Sequence, residues 1–140
     1  AETVTSINPD VTVKPYHIRV SAGNIAELIA GYDVIVDART FLDEIPHQRR
    51  CVLAGKPYIY GGALRFEGQL MTYVPGRGPC YRCIFRDMPA AGEVPSCKEA
   101  GVLGAVVGSD RQHASGGGGE ADTRVGKPLT ARLMTSTRWR

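Results

Sequence analysis

The stretch from Gly55 to Phe85, GKPYIYGGALRFEGQLMTYVPGRGPCYRCIF, constrains the chain most, because it puts strand signals, a turn signal and a cysteine pair in one run. Tyr58, Ile59 and Tyr60 are β-formers directly after Pro57. Gly61-Gly62 then predicts a bend or a close backbone approach. Leu70 to Val74 is a second β-rich run, closed by Pro75-Gly76. Cys80-Tyr81-Arg82-Cys83 follows as a C-x-x-C, which Gly76, Gly78 and Pro79 place on a loop. Two thiolates at that spacing can grip one tetrahedral metal ion, because the short turn between them points both sulfurs the same way. A redox dithiol is the other reading. Redox motifs of this kind open a helix after a strand, so the loop placement argues against it.

Upstream, the pattern is strand, helix, strand. Asn8-Pro9 marks a turn, and Val11-Thr12-Val13 running into Lys14-Pro15-Tyr16 predicts a short strand. Asn24 to Ala30 (NIAELIA) predicts a short amphipathic helix, with Asn24 as N-cap and Gly31 as its stop. Tyr32 to Asp37 (YDVIVD) is an apolar run ending in an acid, the signature of a buried parallel strand. This order argues an α/β sheet of the dinucleotide-binding kind, in which ligands bind at the carboxyl ends of strands. Asp37 is therefore a candidate edge of the site.

Two segments break the pattern. Arg39 to Arg50 should return the chain as a helix to the strand after Pro57, yet Pro46 sits in its middle, where proline costs about 3 kcal/mol. Ser109 to Arg124 has no apolar periodicity, and Gly116–Gly119 would cost a helix about 4 kcal/mol relative to alanine. That glycine run is no phosphate loop, since no strand precedes it and no Lys-Ser or Lys-Thr follows.

The chain has 140 residues, enough for one domain with a core. It shows no apolar leader and no run long enough to span a membrane, so a cytoplasmic location is expected and its four cysteines read as metal ligands or reactive thiols rather than a disulfide framework. Residues 1–108 hold 11 basic and 11 acidic residues, and the whole net charge of +3 lies in residues 109–140. With no basic stripe, a nucleic-acid role is not expected.

Four pieces resemble one family in the right order: GYDVIVDA at Gly31–Ala38, CVLAGKPYIYGGALRFEGQ at Cys51–Gln69, GPCYRC at Gly78–Cys83 and VPSCKEAGVLGAVVG at Val94–Gly108. The chain is similar to the ThiF/MoeB/HesA family, the adenylyltransferases that activate ubiquitin-like sulfur carriers in molybdopterin and thiamine biosynthesis, relatives of ubiquitin-activating enzyme. The resemblance covers roughly the second half of such an enzyme. It implies the C-terminal half of a Rossmann-like nucleotide-binding α/β fold with a mixed sheet over residues 1–108, followed by an altered, poorly ordered tail over 109–140.

The resemblance also implies chemistry. Intact members use ATP and magnesium to adenylate the C-terminal glycine of a small ubiquitin-like carrier, and they are homodimers. Cys97 occupies a loop position where some members have a cysteine that takes part in sulfur or thioester transfer, and Lys98 beside it would favour the thiolate; the plainer reading is a loop thiol with no role. Asp37 borders the nucleotide. Cys80 and Cys83 are half of a structural zinc site, whose second C-x-x-C would lie beyond Arg140. The family motif T-D-N-F-x-T-R-Y-L-x-N-D, with its magnesium-side aspartate, has no counterpart at Arg39–Phe41, and Asp43 is out of register. Read one base later, codons for Phe41–Arg50 can spell F-S-T-R-Y-L-I-N-D-A, and those for Ser109–Arg124 an amphipathic helix. Compensated frameshifts in the two segments explain both breaks, and a divergent loop is the alternative. The rival to an enzyme is a non-catalytic remnant that binds a carrier or a subunit. Among the remaining residues, Cys51 is read as core, Arg65 and Glu67 as carrier contacts or a surface ion pair, and His17, His47 and His113 as solvent-exposed.

Overall fold

The structure, a computed structural model, describes residues 1–38, 44–87, 93–108 and 129–137. Its elements are α1 (Glu2–Ile7), α2 (Ile25–Ala30), β1 (Ile35–Asp37), α3 (Glu44–Leu53), β2 (Tyr58–Leu64), β3 (Glu67–Tyr73), α4 (Tyr81–Ile84), α5 (Cys97–Ala100) and β4 (Leu133–Thr137), with residues 104–108 also helical. The strands make one mixed sheet in the order β1-β2-β3-β4. β1 lies parallel to β2, with Val36 opposite Ile59 and Asp37 opposite Tyr60. β2 and β3 form an antiparallel hairpin turned by Arg65 and Phe66, and β4 adds antiparallel to β3. The mixed α/β sheet expected from the sequence is present.

Strand alternation divides the core between the two faces of the sheet. On one face Tyr58, Tyr60 and Met71 pack with Cys51 of α3, Tyr81 of α4, and Ile25 and Ile29, which lie one turn apart on α2. On the other face Ile59 and Leu70 pack with Val34, Leu129 and Met134. α2 matches its predicted span, and its ends are held from a distance. Asn24 turns its side chain back, accepting from the Ser21 N–H at 2.8 Å and donating to the Arg19 carbonyl at 3.0 Å. Lys56 Nζ donates to the Ala30 carbonyl at 3.0 Å and to that of Tyr32, satisfying carbonyls that the helix leaves open at its C-terminus.

Three expectations are corrected. Val11–Val13 belongs to no strand, since no described strand lies beside it to complete a ladder. β2 runs through Gly61-Gly62 to Leu64. The Tyr60 ring folds over Gly62, where a Cβ would come within 2.8 Å of its Cζ, so the glycine serves close approach rather than a bend. Pro46 does not break α3, because the helix begins at Glu44 and a proline in the first turn removes only an N–H that has no helical partner. Val36 is 54% exposed although its neighbour Ile59 is fully buried, because among the described residues β1 is the edge strand and pairs with β2 alone. Leu133–Thr137 forms β4, with Leu133 packing on one face of the sheet and Met134 on the other. The altered segment 109–128, with His113, lies outside the described residues, as do residues 39–43 with Asp43.

Two measurements test this core. Leu70→Ala should lower the urea midpoint at unchanged slope and cost about 2–5 kcal/mol, while Val36→Ala should stay within about 0.5 kcal/mol; equal effects would contradict the two-faced packing. The second concerns Cys51, whose thiol is pushed up to about 11, first by burial and then by the nearby Asp37 charge. A folded-state value above the ordinary 9.0 means that the unfolded chain loses this proton first as pH rises. Stability contributed by Cys51 is therefore complete below pH 9 and lost through pH 11. Melting temperature should fall across that window in the wild type and fall less in Cys51→Ala; parallel curves would refute it.

Candidate functional site

Asp37 ends β1 and is 9% exposed. The Tyr58 hydroxyl donates to its Oδ2 at 3.0 Å, and His47 Nδ1 lies 3.6 Å from the same oxygen. His47 is 5% exposed, and its Nδ1 has no hydrogen-bond partner among the described residues, which overturns the reading of this histidine as solvent-exposed. The group borders a cavity of about 330 Å³ whose apolar wall includes Val20, Ile25, Leu28 and Ile35. An apolar cavity with a few converging polar groups is the usual form of a small-molecule site. Sequence reasoning missed His47 because Pro46 hid the helix. Once α3 is recognised, His47 and Cys51 stand at i and i+4 on one inward face.

Cys97 is the first residue of α5, and Ser96 precedes it as N-cap. Glu99 Oε2 accepts from the Ser96 N–H at 2.7 Å and from its hydroxyl at 2.8 Å, and these two bonds hold the Glu99 carboxyl below its usual value. The segment is lashed to the β2–β3 hairpin. The Arg65 N–H donates to the Gly101 carbonyl at 2.9 Å, and the Leu103 N–H donates to the Arg65 carbonyl at 2.8 Å. The Cys97 thiol itself points at the Ala63 carbonyl, 3.7 Å away. Ala63 lies three residues beyond Tyr60, the register partner of Asp37, which is about 10 Å along the strand. Asp37 and Cys97 thus come to the same end of the sheet, the carboxyl end of its parallel pair, where open α/β sheets bind ligands. Arg65 takes part through its main chain at the hairpin tip, with a positive φ of 54°.

The C-x-x-C does not sit on an irregular loop. Cys80 is the N-cap of α4, which opens after β3 and its Gly/Pro turn, so the structural argument against a redox pair falls. Tyr81 anchors the short helix, its ring edge-on to Tyr60 at 4.9 Å and beside Phe85 at 4.7 Å. The Cys83 N–H donates to the Cys80 carbonyl at 3.0 Å, and the two sulfurs are 3.6 Å apart. Cys80 is half-buried and Cys83 exposed. Partial burial works against the Cys80 thiolate, but the Cys83 N–H and thiol, the Gln48 amide and the Arg82 N–H outweigh it, and the thiol lies below its ordinary value. Sulfurs bound to one tetrahedral zinc at about 2.3 Å are roughly 3.8 Å apart, so this pair fits two corners of such a site. Among the described residues no group of three or more Cys, His, Asp or Glu is placed to complete it. No helix of the described residues is long and apolar enough to cross a membrane.

The ThiF family model matches residues 1–109. The chain is 43% identical over 115 residues to the SAMP-activating enzyme E1 of Haloferax volcanii, covering 78% of this chain and 40% of that protein. It is 42% identical over 112 residues to the adenylyltransferase and sulfurtransferase MOCS3 of Xenopus laevis, covering 77% of this chain and 24% of that protein. It is 41% identical over 116 residues to the sulfur carrier protein adenylyltransferase of Thermus thermophilus, covering 74% and 42%. The chain therefore spans between a quarter and two fifths of the length of these relatives. Among solved structures, the microcin C7 biosynthetic enzyme MccB in complex with N-formylated MccA superposes with a TM-score of 0.77 over 99% of this chain and 48% of MccB, at 14% identity, a likeness of fold. The fold of MccB, the order of the motifs and the family match converge: the chain belongs to the ThiF family.

Proposed function

We propose that the chain is part of an ATP-dependent adenylyltransferase that activates the C-terminal glycine of a ubiquitin-like sulfur carrier. The observation that carries this reading is the family match over residues 1–109 together with Asp37 and Cys97 both lying toward the carboxyl end of the sheet. In this reading ATP supplies the adenylyl group and pyrophosphate leaves, and this chain's own residues frame the site. Asp37 borders the nucleotide. Its Oδ2 already accepts from Tyr58 and its carboxyl is buried, which suits a wall of the site and does not suit a magnesium ligand that keeps several waters. Cys97 is the nucleophile for sulfur or thioester transfer, held at the rim by the hairpin and by the Ala63 carbonyl. The carrier would approach over that rim, in the cytoplasm, on a homodimer. Cys80 and Cys83 would hold a structural zinc with two further ligands.

The second reading is a non-catalytic module that binds a carrier or a subunit. It is favoured by one feature: no acid stands at Arg39–Phe41, where the family motif carries its magnesium-side aspartate.

ATP–pyrophosphate exchange separates the two. The 140-residue chain with a panel of ubiquitin-like carriers should give no exchange. Fusing it to the preceding portion of a relative, with the shifted readings of Phe41–Arg50 and Ser109–Arg124 restored, should give carrier-dependent exchange; a silent fusion sinks the enzymatic reading. In the active fusion Cys97→Ala should keep exchange and lose sulfur or thioester transfer, and loss of exchange as well would show that Cys97 is no dedicated transfer nucleophile. Native mass spectrometry should show zinc held between two chains, two sulfurs from each. One tightly held zinc per single chain would contradict this.

A further inference from the structure

The cavity of about 330 Å³ beside Asp37 has an aliphatic body and one polar corner. Val20, Leu28 and Ile35 stand in the body, and Asp37, His47 and Tyr58, all buried, make the corner. His47 Nδ1 lies 3.6 Å from Asp37 Oδ2, within ion-pair reach for a protonated ring but outside hydrogen-bond contact. Among the described residues this nitrogen has no hydrogen-bond partner, and a buried polar atom in that state needs one. The corner is rich in acceptors and poor in donors. A carboxylate accepts only, and the Tyr58 hydroxyl already directs its hydrogen at Oδ2, so it has none to offer an occupant. With its proton on Nε2, the imidazole adds Nδ1 as a further acceptor. Among the described residues no Lys or Arg lines the cavity, so no fixed cation offsets the Asp37 charge there.

We propose that this cavity binds a small primary ammonium with a branched aliphatic body. One ammonium N–H donates to Asp37 Oδ2 and a second to His47 Nδ1. Two acceptors 3.6 Å apart can both stand at about 2.9 Å from one nitrogen, so the head bridges the gap between them. An ammonium has three donors and no acceptor, which is the complement of this corner. An alkylamine stays protonated at neutral pH, as a lysine does. Its charge-assisted bond to a buried carboxylate is of the strong kind. The aliphatic body lies against Val20, Leu28 and Ile35, and the volume, at the small end of ligand sites, selects a short chain. A neutral alcohol of the same shape fills the body but brings one donor and no charge. A carboxylate would place a second anion beside Asp37 with no cation between them. Binding of the amine needs neither ATP nor a carrier, so it stands or falls apart from adenylyl transfer.

The test titrates the 140-residue chain, without nucleotide, with isoamylamine, isoamyl alcohol and isovalerate at neutral pH, followed by protein-observed NMR. The amine should bind about tenfold more tightly than the alcohol, the carboxylate should not bind, and the shifts should centre on His47 and Ile35. Asp37→Asn keeps the shape of the corner and removes its charge. In the folded variant the amine should lose its advantage over the alcohol. Should Asp37→Asn fail to fold, the three titrations of the wild type decide by themselves. The proposal is overturned if the amine does not bind, if amine and alcohol bind equally, if isovalerate binds as well as the amine, if the shifts leave His47 and Ile35 unmoved, or if a folded Asp37→Asn keeps the full preference for the amine.

Discussion

Tyr58 and Tyr60 leave β2 on the same side, and the geometry of every candidate site depends on where that pair is held. β2 is bonded along both edges, parallel to β1 and antiparallel to β3, so its side chains have no freedom of register. From there the Tyr58 hydroxyl reaches the Asp37 carboxylate, and the Tyr60 ring meets Tyr81 edge-on at 4.9 Å. One aromatic fixes the end of the parallel strand, and the other fixes the helix that carries the cysteine pair. Each ring buries on the order of 200 Å², enough to set both positions from one strand. Gly62 is part of this arrangement, because only a residue without Cβ leaves room for the Tyr60 ring.

The parts of the fold that the sequence reveals are those whose pattern is local. The apolar run before Asp37, the β-formers after Pro57 and the span from Asn24 to Ala30 each carry their own signal, and β1, β2 and α2 stand there. The failures have physical causes that no local pattern carries. Pro46 reads as a mid-helix breaker as long as the start of α3 is unknown; placing that start at Glu44 turns a cost of about 3 kcal/mol into almost none. The same uncertainty hides His47, which is buried only because α3 exists. Val11–Val13 has strand residues but no neighbouring strand among the described residues, and a strand is defined by its partner. β4 is the converse, a plain sequence recruited by the free edge of β3.

The candidate site is legible in the sequence as a set of residues and not as an arrangement. Asp37 and Cys97 are far apart in the chain, and each stands out for its own reason, a strand end and a loop thiol. Their placement toward one end of the sheet rests on β2 running past β1 to Leu64, and on the main chain of Arg65 binding residues 101–103. Hydrogen bonds between peptide groups are blind to side-chain identity, so nothing at Arg65, Gly101 or Leu103 announces them.

Four cysteines in one fold need to be kept from doing each other's chemistry, and their environments separate them. Cys51 is walled into the core, where burial and the Asp37 charge keep its proton in place, so it is chemically silent although it is near the cavity beside His47. Cys97 sits at the rim of the sheet, tied through the Ala63 carbonyl to the hairpin and so to the position of Asp37. Cys80 and Cys83 face each other across 3.6 Å on a helix held by Tyr81, and their first reaction partner is each other or a shared metal ion. A nucleophile for transfer must stay single and exposed to its substrate, whereas a pair in contact is drained by ring closure or by metal. On this ground the proposed transfer role falls to Cys97 and not to the pair, even though the pair is the more conspicuous motif in the sequence.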